Sequence, residues 1–500
     1  MPGATIKLLV KELSGKSILV SGDVSGLELD GIPVEILASR IVSALEGREG
    51  IRIADRVLID SIVAEIKGEK SPDPIEVAQR TDFMAPASEI DARYTIASRE
   101  NDRSGTGTEG FVSYFRNRLA RLRSIIGSQR AGVSMMVQSI ENLKSYSAGR
   151  EVTIVGMVSN RVVTKNGNIM VILDDETGDS RVIFMNGTSQ KAKELFEKAR
   201  RIVNDEVMAV NGKISGPFLI ADEIIWPDVP IKQRTTTEDD IAIAFISDTH
   251  AGSKLFMERN FANMIKWLNG GIDEKRGLAG KVKYVVFGGD VVDGIGVYPN
   301  QDRELSILDI YSQYKLFMNM ISSIPDYIQV FVIPGNHDAV QRAEPQPSLT
   351  PQLLRDFRAD NIHMLPNPSF LSLHGVDVLA YHGTSLDSMI RSIPGLTYAD
   401  PAPAMIELLR RRHLSPIYGG NIIVPSSSDN LVIDRIPDIL HMGHVHKNAL
   451  SNYHGVDILN SGTWQSRTEF QVIQGHIPSP CVLTVYETKE SKFTTINFER

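Results

Sequence analysis

Phe331-Val332-Ile333-Pro334-Gly335-Asn336-His337-Asp338 is an apolar run that ends in Pro-Gly, followed without a gap by an amide, an imidazole and a carboxylate. Such a run reads as a buried strand handing over to a loop at its C-terminal end, where open α/β sheets place their chemistry. Four further runs end in the same way. Residues 243–246 lead into Asp248 and His250, and residues 284–287 into Gly289, Asp290 and Asp293. Residues 376–381 lead into His382, and residues 439–442 into His444 and His446. Five expected strand ends thus carry seven groups able to bind metal ions, plus His337.

Composition sets the frame. A chain of 500 residues is too long for one core and predicts roughly two to four domains. A hydrophobic share of 42% and a charged share of 23% describe an ordinary soluble globular protein. No apolar run reaches the length of a membrane span, and the N-terminal stretch lacks the charged-then-apolar form of a signal peptide. The lone Cys481 excludes an internal disulfide and fits a reducing, cytoplasmic setting. A net charge of −8 argues against a chain-wide nucleic-acid-binding field, so any such contact is local. All eleven histidines lie between His250 and His476, which assigns imidazole chemistry to the C-terminal half.

From the N-terminus, residues 1–75 are expected to form a small, mainly helical module that makes protein contacts. Val34, Leu37, Ile41 and Leu45 recur at helical spacing, as do Leu58, Ile62 and Ile66. Residues 76–109 turn polar and lose all apolar period, which predicts a flexible linker. Residues 110–149 hold a basic amphipathic helix and a connection. Phe111, Phe115, Leu119, Leu122 and Ile126 share one face, and Arg116, Arg118, Arg121 and Arg123 occupy the rest, as a solvated face or a phosphate-contacting patch.

Residues 150–234 have the order of an OB-fold β-barrel, with three strands, a helix over 191–201, and two more strands. Phe184, Phe218 and Trp226 are either stacking aromatics or core, so the barrel binds single-stranded DNA or docks a protein. Residues 235–500 alternate strands and helices, as a layered α/β domain does.

The polar groups at the strand ends suit two divalent ions, which need oxygen and imidazole donors from separate rigid elements. Asp248-x-His250 and His444-x-His446 are expected to present both side chains on one face of an extended segment. Asp290, with two carboxylate oxygens, is suited to bridge, and Gly335 lets Asn336 and His337 turn into one cavity. The mixed nitrogen and oxygen donors favour Mn²⁺, with Fe²⁺, Zn²⁺ or Mg²⁺ compatible. His363, His374, His413, His441, His454 and His476 read as structural.

The motif series D-x-H, G-D-x-x-D, G-N-H-D, H and G-H-x-H, complete and in order, resembles the calcineurin-like metallophosphoesterase superfamily. That resemblance implies a sandwich of two sheets flanked by helices. It implies that Asp248, His250, Asp290 and His446 bind one ion, and Asp290, Asn336, His382 and His444 the other. It gives His337 the leaving-group oxygen and has Asp293 orient it.

Gly294 stands where protein phosphatases of the superfamily carry an arginine after the second aspartate of G-D-x-x-D. With the preceding barrel and the segments 336–347, 411–419 and 461–465, the chain is similar to the small subunits of archaeal D-family DNA polymerases. This second resemblance implies a metal-dependent 3′→5′ proofreading exonuclease within a DNA polymerase holoenzyme, bound to a large polymerising subunit and acting on single-stranded 3′ ends. The alternatives are a non-catalytic assembly subunit and a stand-alone metallophosphoesterase. Arg342, Arg411, Arg412, Lys447 and Arg467 lie near the motifs in sequence, and some are expected to contact the DNA backbone.

Overall fold

The computed structural model describes residues 2–16, 18–21, 34–45, 52–55, 58–59, 62–63, 83–97, 107–129, 137–354, 357 and 359–499. The chain divides into two compact units, Met1–Glu76 and Val77–Arg500. In the first, helix α1 (Pro2–Gly15) and helix α2 (Val34–Ala44) accompany strands β1 (Ile18–Ser21) and β2 (Arg52–Asp55), which pair in parallel. Among its described residues, the module expected to be mainly helical also carries this two-stranded sheet. Runs of four residues are too short for helical or alternating periodicity to separate. Ile66, expected in the module's last helix, lies outside the described residues.

In the second unit, residues 83–97 depart from the expected flexible linker, whose other residues up to 106 lie outside the described residues. Strand β3 (Tyr94–Ile96) pairs along Leu371–Leu373, and the Ala87 amide donates to the Gly280 carbonyl at 3.0 Å. An edge strand needs partners on one side only, so it leaves no apolar alternation to read.

Helix α3 (Gly107–Gln129) buries Leu119, Leu122 and Ile126 against Val155, Val207, Ala209, Ile225 and Val432. Arg118, expected on its outer surface, is fully buried; its Nε donates to Asp429 at 2.7 Å. Arg116 is exposed.

The barrel follows. After β4 (Val137–Gln138) come β5 (Glu151–Val163), β6 (Ile169–Asp175), β7 (Gly178–Phe184), α4 (Gln190–Ala199), β8 (Val207–Ser215) and β9 (Phe218–Ile225). Strands β5 to β9 run in the order β5-β6-β7-β9-β8, and the β5–β8 pairing closes five of them on themselves. Phe184 lies in the barrel core, and the Trp226 indole donates to Glu206 at 3.1 Å.

Two six-stranded sheets form the remainder. The first contains β10 (Ala242–Ile246), β11 (Val282–Gly288), β12 (Gln329–Ile333) and β13 (Ile362–Met364), all parallel. The second contains β14 (Ser369–Leu373), β15 (Val376–Ala380) and β16 (Ile439–Met442), then β17 (Ala449–Tyr453) and β18 (Val456–Asn460), with β3 at its edge. Strands β19 (Val482–Glu487) and β20 (Lys492–Asn497) complete the first sheet.

Strand alternation divides the cores. Ile243, Phe245, Phe331 and Ile333 face Val378, Ala380 and Ile439 between the sheets. Ala244, Phe287 and Val332 face outward onto α5 (Glu258–Leu268) and, beyond the short α6 (Arg276–Ala279), α7 (Ile310–Ile321). Leu379, Leu440 and Met442 meet α8 (Leu386–Ser392) and α9 (Ala402–Arg411) on the opposite side. Two layers of sheet between two layers of helix bring the C-terminal ends of β10, β11, β12, β15 and β16 together.

Candidate metal centre

Those five strand ends deliver the sequence-predicted donors to one place. Asp248 Oδ1 stands 3.3 Å from His446 Nε2 and 3.9 Å from His250 Nε2. The two Nε2 atoms face each other across 3.0 Å. On the other side His382 Nε2 lies 3.0 Å from Asn336 Oδ1 and 3.2 Å from Asp290 Oδ2. Donor atoms of Asp248, His250 and His446 lie within 4.8 Å of one another, as do those of Asp290, His382 and His444. Asp290 joins the groups, since its Oδ2 is also 4.0 Å from His250 Nε2.

The backbone achieves this differently from the extended geometry expected of D-x-H and H-x-H. Asp248 (φ 55°), His250 (φ 51°), Asp290 (φ 50°), His444 (φ 68°) and His446 (φ 54°) all adopt the left-handed region. Side chains two apart converge because the loop turns at each, not because a strand alternates. L-residues with side chains pay about 1–3 kcal/mol for such a conformation, which the surrounding structure must overcome. The glycines allow the close approach: a Cβ at Gly335 would collide with the Asp290 carboxylate, and one at Gly443 with Ser247 and Asp248.

The donor set passes a test of fit to divalent cations. His382 Nδ1 donates to the Gly288 carbonyl at 2.8 Å, and His250 Nδ1 lies 3.0 Å from Asp293 Oδ1. A carbonyl and a carboxylate both accept, which places the proton on Nδ1 and leaves the Nε2 lone pair of each ring for a metal. Burial opposes charge on His250, but Asp293, Asp290 and Asp248 outweigh it and lift the ring to about 9. His382 is lifted to about 10 against the same burial by Asp290 and Asp248. Burial works against Asp290 too, yet His382 and His337 hold its carboxylate well below the usual range. The concentration of negative charge that attracts these protons is the field a divalent cation would meet.

His337 groups with His250 and Asp293, whose donor atoms also lie within 4.8 Å of one another, and not with either of the other two sets. Its Nδ1 donates to the Asp293 carbonyl at 2.8 Å and its amide to Asp290 Oδ1 at 2.8 Å. Its ring stands edge-on to His250 with centroids 4.7 Å apart. Burial pushes the imidazole below its ordinary range against the pull of Asp290. Asp293 thus holds His337 through its backbone and His250 through its carboxylate, which Gln301 and Gln465 also reach at 3.0 Å each.

Asp338, the last residue of the G-N-H-D run, caps the turn. It accepts from the Gly335 amide at 2.8 Å and the Tyr314 hydroxyl at 3.0 Å, and burial beside Asp290 raises it to about 7. Asp387, 3.4 Å from His444 Nε2, and Gln471, 2.9 Å from His446 Nδ1, carry no motif signal at all.

The basic residues expected beside DNA divide. Arg411 is buried in ion pairs with Glu206 and Glu407, and donates to the Arg201 carbonyl at 2.6 Å. Arg412 is buried against the carbonyls of Ile433 and Asp434. Neither faces solvent: Arg411 ties α9 to the barrel side through Glu206 and Arg201, and Arg412 is held by the 433–434 segment. Arg342 and Arg467 are exposed and Lys447 half-buried. The remaining histidines are engaged elsewhere: His413 with Asp429, His441 with Ser461, and His454 with the Val229 carbonyl.

A family model for calcineurin-like phosphoesterases matches residues 241–480. The DNA polymerase II small subunit of Methanothermobacter thermautotrophicus is 42% identical over 413 residues, covering 81% of this chain and 83% of that protein. Its counterpart in Archaeoglobus fulgidus is 42% identical over 381 residues, covering 76% and 75%. That of Methanocaldococcus jannaschii is 39% identical over 414 residues, covering 80% and 68%.

Proposed function

The chain belongs to the archaeal DNA polymerase II small-subunit family, and on that premise we propose that its phosphoesterase domain is a two-metal 3′→5′ proofreading exonuclease that serves a large polymerising subunit. The observation that carries the reading is that Asp248, His250 and His446 meet on one side and Asp290, Asn336, His382 and His444 on the other, with Asp290 within reach of both. Asp248, His250, Asp290 and His446 would hold one divalent ion, and Asp290, Asn336, His382 and His444 the other, with Mn²⁺ favoured by the mixed donors. Bound there, the ions supply Lewis acidity and a water acidic enough to attack phosphorus.

The chain's own contribution is position and proton handling. Asp293 fixes the rings of His250 and His337 at once, so the metal pair and the leaving-group side keep one geometry. With Nδ1 committed to a carbonyl, His337 turns Nε2 to the substrate. The substrate's negative charge favours protonation there, and the proton passes to the departing oxygen. Asp338 stiffens the loop that carries both Asn336 and His337.

A 3′-mismatched primer-template incubated with Mn²⁺, with and without the co-purified large subunit, tests the reading. Shortening from the 3′ end supports it. A complex that assembles yet shows no Mn²⁺-dependent hydrolysis makes the chain an assembly subunit. Faster turnover of small phosphate esters than of DNA makes it a stand-alone phosphoesterase.

A further inference from the structure

The short helix α10 (Glu469–Ile473) is inverted. A surface helix normally turns its apolar side chains inward. Here the inward position belongs to Gln471, whose amide touches His446, while Phe470 (70% exposed), Val472, Ile473 (80%) and Ile477 face solvent. The segment is pinned to the His444–Lys447 loop by further bonds. His476 Nε2 donates to the Val445 carbonyl at 2.7 Å, the Ser479 amide to the His446 carbonyl at 2.7 Å, and Lys447 Nζ to the Ile477 carbonyl at 3.2 Å. Thr468 and Gln471 close the helix start with a reciprocal capping box. The apolar face is therefore presented rigidly at the rim of the metal centre.

We propose that Phe470, with Ile473 and Ile477, forms a ledge on which an unpaired nucleobase next to the scissile phosphate stacks. This deepens the exonuclease reading and rests on it. Three observations point to a base. The ledge is bonded to a metal-centre residue, so a strand whose phosphate sits at the centre brings its neighbouring base there. The exposed Arg467 and the half-buried Lys447 flank the ledge and suit the backbone on either side. Among the exposed apolar side chains of this segment, Phe470 supplies an aromatic ring, the kind of face on which a base stacks. A base in a duplex cannot leave its stack without cost, whereas a mispaired or single-stranded end can, so the ledge selects frayed ends.

The test uses the full chain with its metals removed by a chelator. The probes are a fluorescent single-stranded oligonucleotide and the same oligonucleotide with abasic sites at its 3′ end, read by anisotropy. Phe470→Ala is expected to weaken binding of the normal strand by roughly 5- to 100-fold, and Phe470→Trp to restore it. The abasic strand, with no base to stack, binds the parental chain and Phe470→Ala alike. Equal affinity of the parental chain and Phe470→Ala for the normal strand overturns the ledge. So does loss of the co-expressed large subunit in Phe470→Ala with oligonucleotide binding intact, which would make the patch a protein contact. Hydrolysis of bis-p-nitrophenyl phosphate by the Mn²⁺-loaded parental chain is scored separately. Its absence removes the exonuclease reading without touching the binding result.

Discussion

Two buried charge clusters in the second unit are built on opposite rules. Around Arg118 and Arg411, every buried charge is met by opposite charge from the protein itself. Arg118 meets Asp429, Asp429 also accepts from His413 at 2.8 Å, and Arg411 is paired with Glu206 and Glu407. Around Asp290, carboxylate oxygens and imidazole nitrogens crowd together, and five of the residues that carry them sit in left-handed backbone. The first arrangement is complete and joins α3, the barrel and α9. The second is complete only with cations. Burial and perturbed ionisation are common to both, so neither marks a catalytic site alone. Convergence of lone pairs and backbone strain separate them.

Substitutions that respect this contrast should affect one cluster without the other. The largest effect is expected from Asp290→Ala, which removes the group common to both donor sets. Hydrolysis should fall by roughly 10³-fold or more and bound Mn²⁺, measured by plasma mass spectrometry, should drop with it. His337→Ala should cost roughly 10²- to 10⁴-fold in kcat while metal content stays at the parental level. Loss of metal in that variant would place His337 among the ligands. Asp293→Asn should weaken metal binding by roughly 10- to 100-fold, through the His250 ring it steadies, in a competition titration against a chelating dye.

Arg411→Ala should do the reverse. It leaves Glu206 buried without its cation, while Glu407 keeps Arg201 and Arg410, and the unpaired charge costs about 3–5 kcal/mol in denaturant unfolding. The rate constants of the folded fraction should be unchanged, and a selective loss of DNA affinity would return Arg411 to the substrate path. The smallest effect is a pH dependence. Burial and then Arg118 hold His413 down at about 4, against the pull of Asp429. The folded protein binds fewer protons at this ring than the unfolded chain does. The ring's share of stability is thus present above roughly pH 6.5 and lost as the pH falls towards about 4. Thermal unfolding across that range, compared with His413→Gln, measures it.

The site was legible where chemistry and chain order coincide. Asp248, His250, Asp290, Asn336, His382, His444 and His446 follow five apolar runs, and their types recur together in one motif order that no single residue would signal. Nearness in sequence misled for Arg411 and Arg412, which follow an amphipathic helix into the interior. Periodicity failed for β3 and β1, since a strand of three or four residues completes too few repeats. Gln471 and Asp387 were illegible because a supporting contact fixes a distance and not a residue pattern.

The order of strands along the chain, the barrel's helix position and the positions of the candidate metal ligands are properties of local pattern, which the sequence carries directly. The left-handed turns that aim those residues, the separation of buried arginines from exposed ones, and the outward face of α10 depend on what lies across from each residue. Such opposition arises only when distant segments pack. Its energy belongs to pairs far apart in the chain, and no window of sequence contains both members.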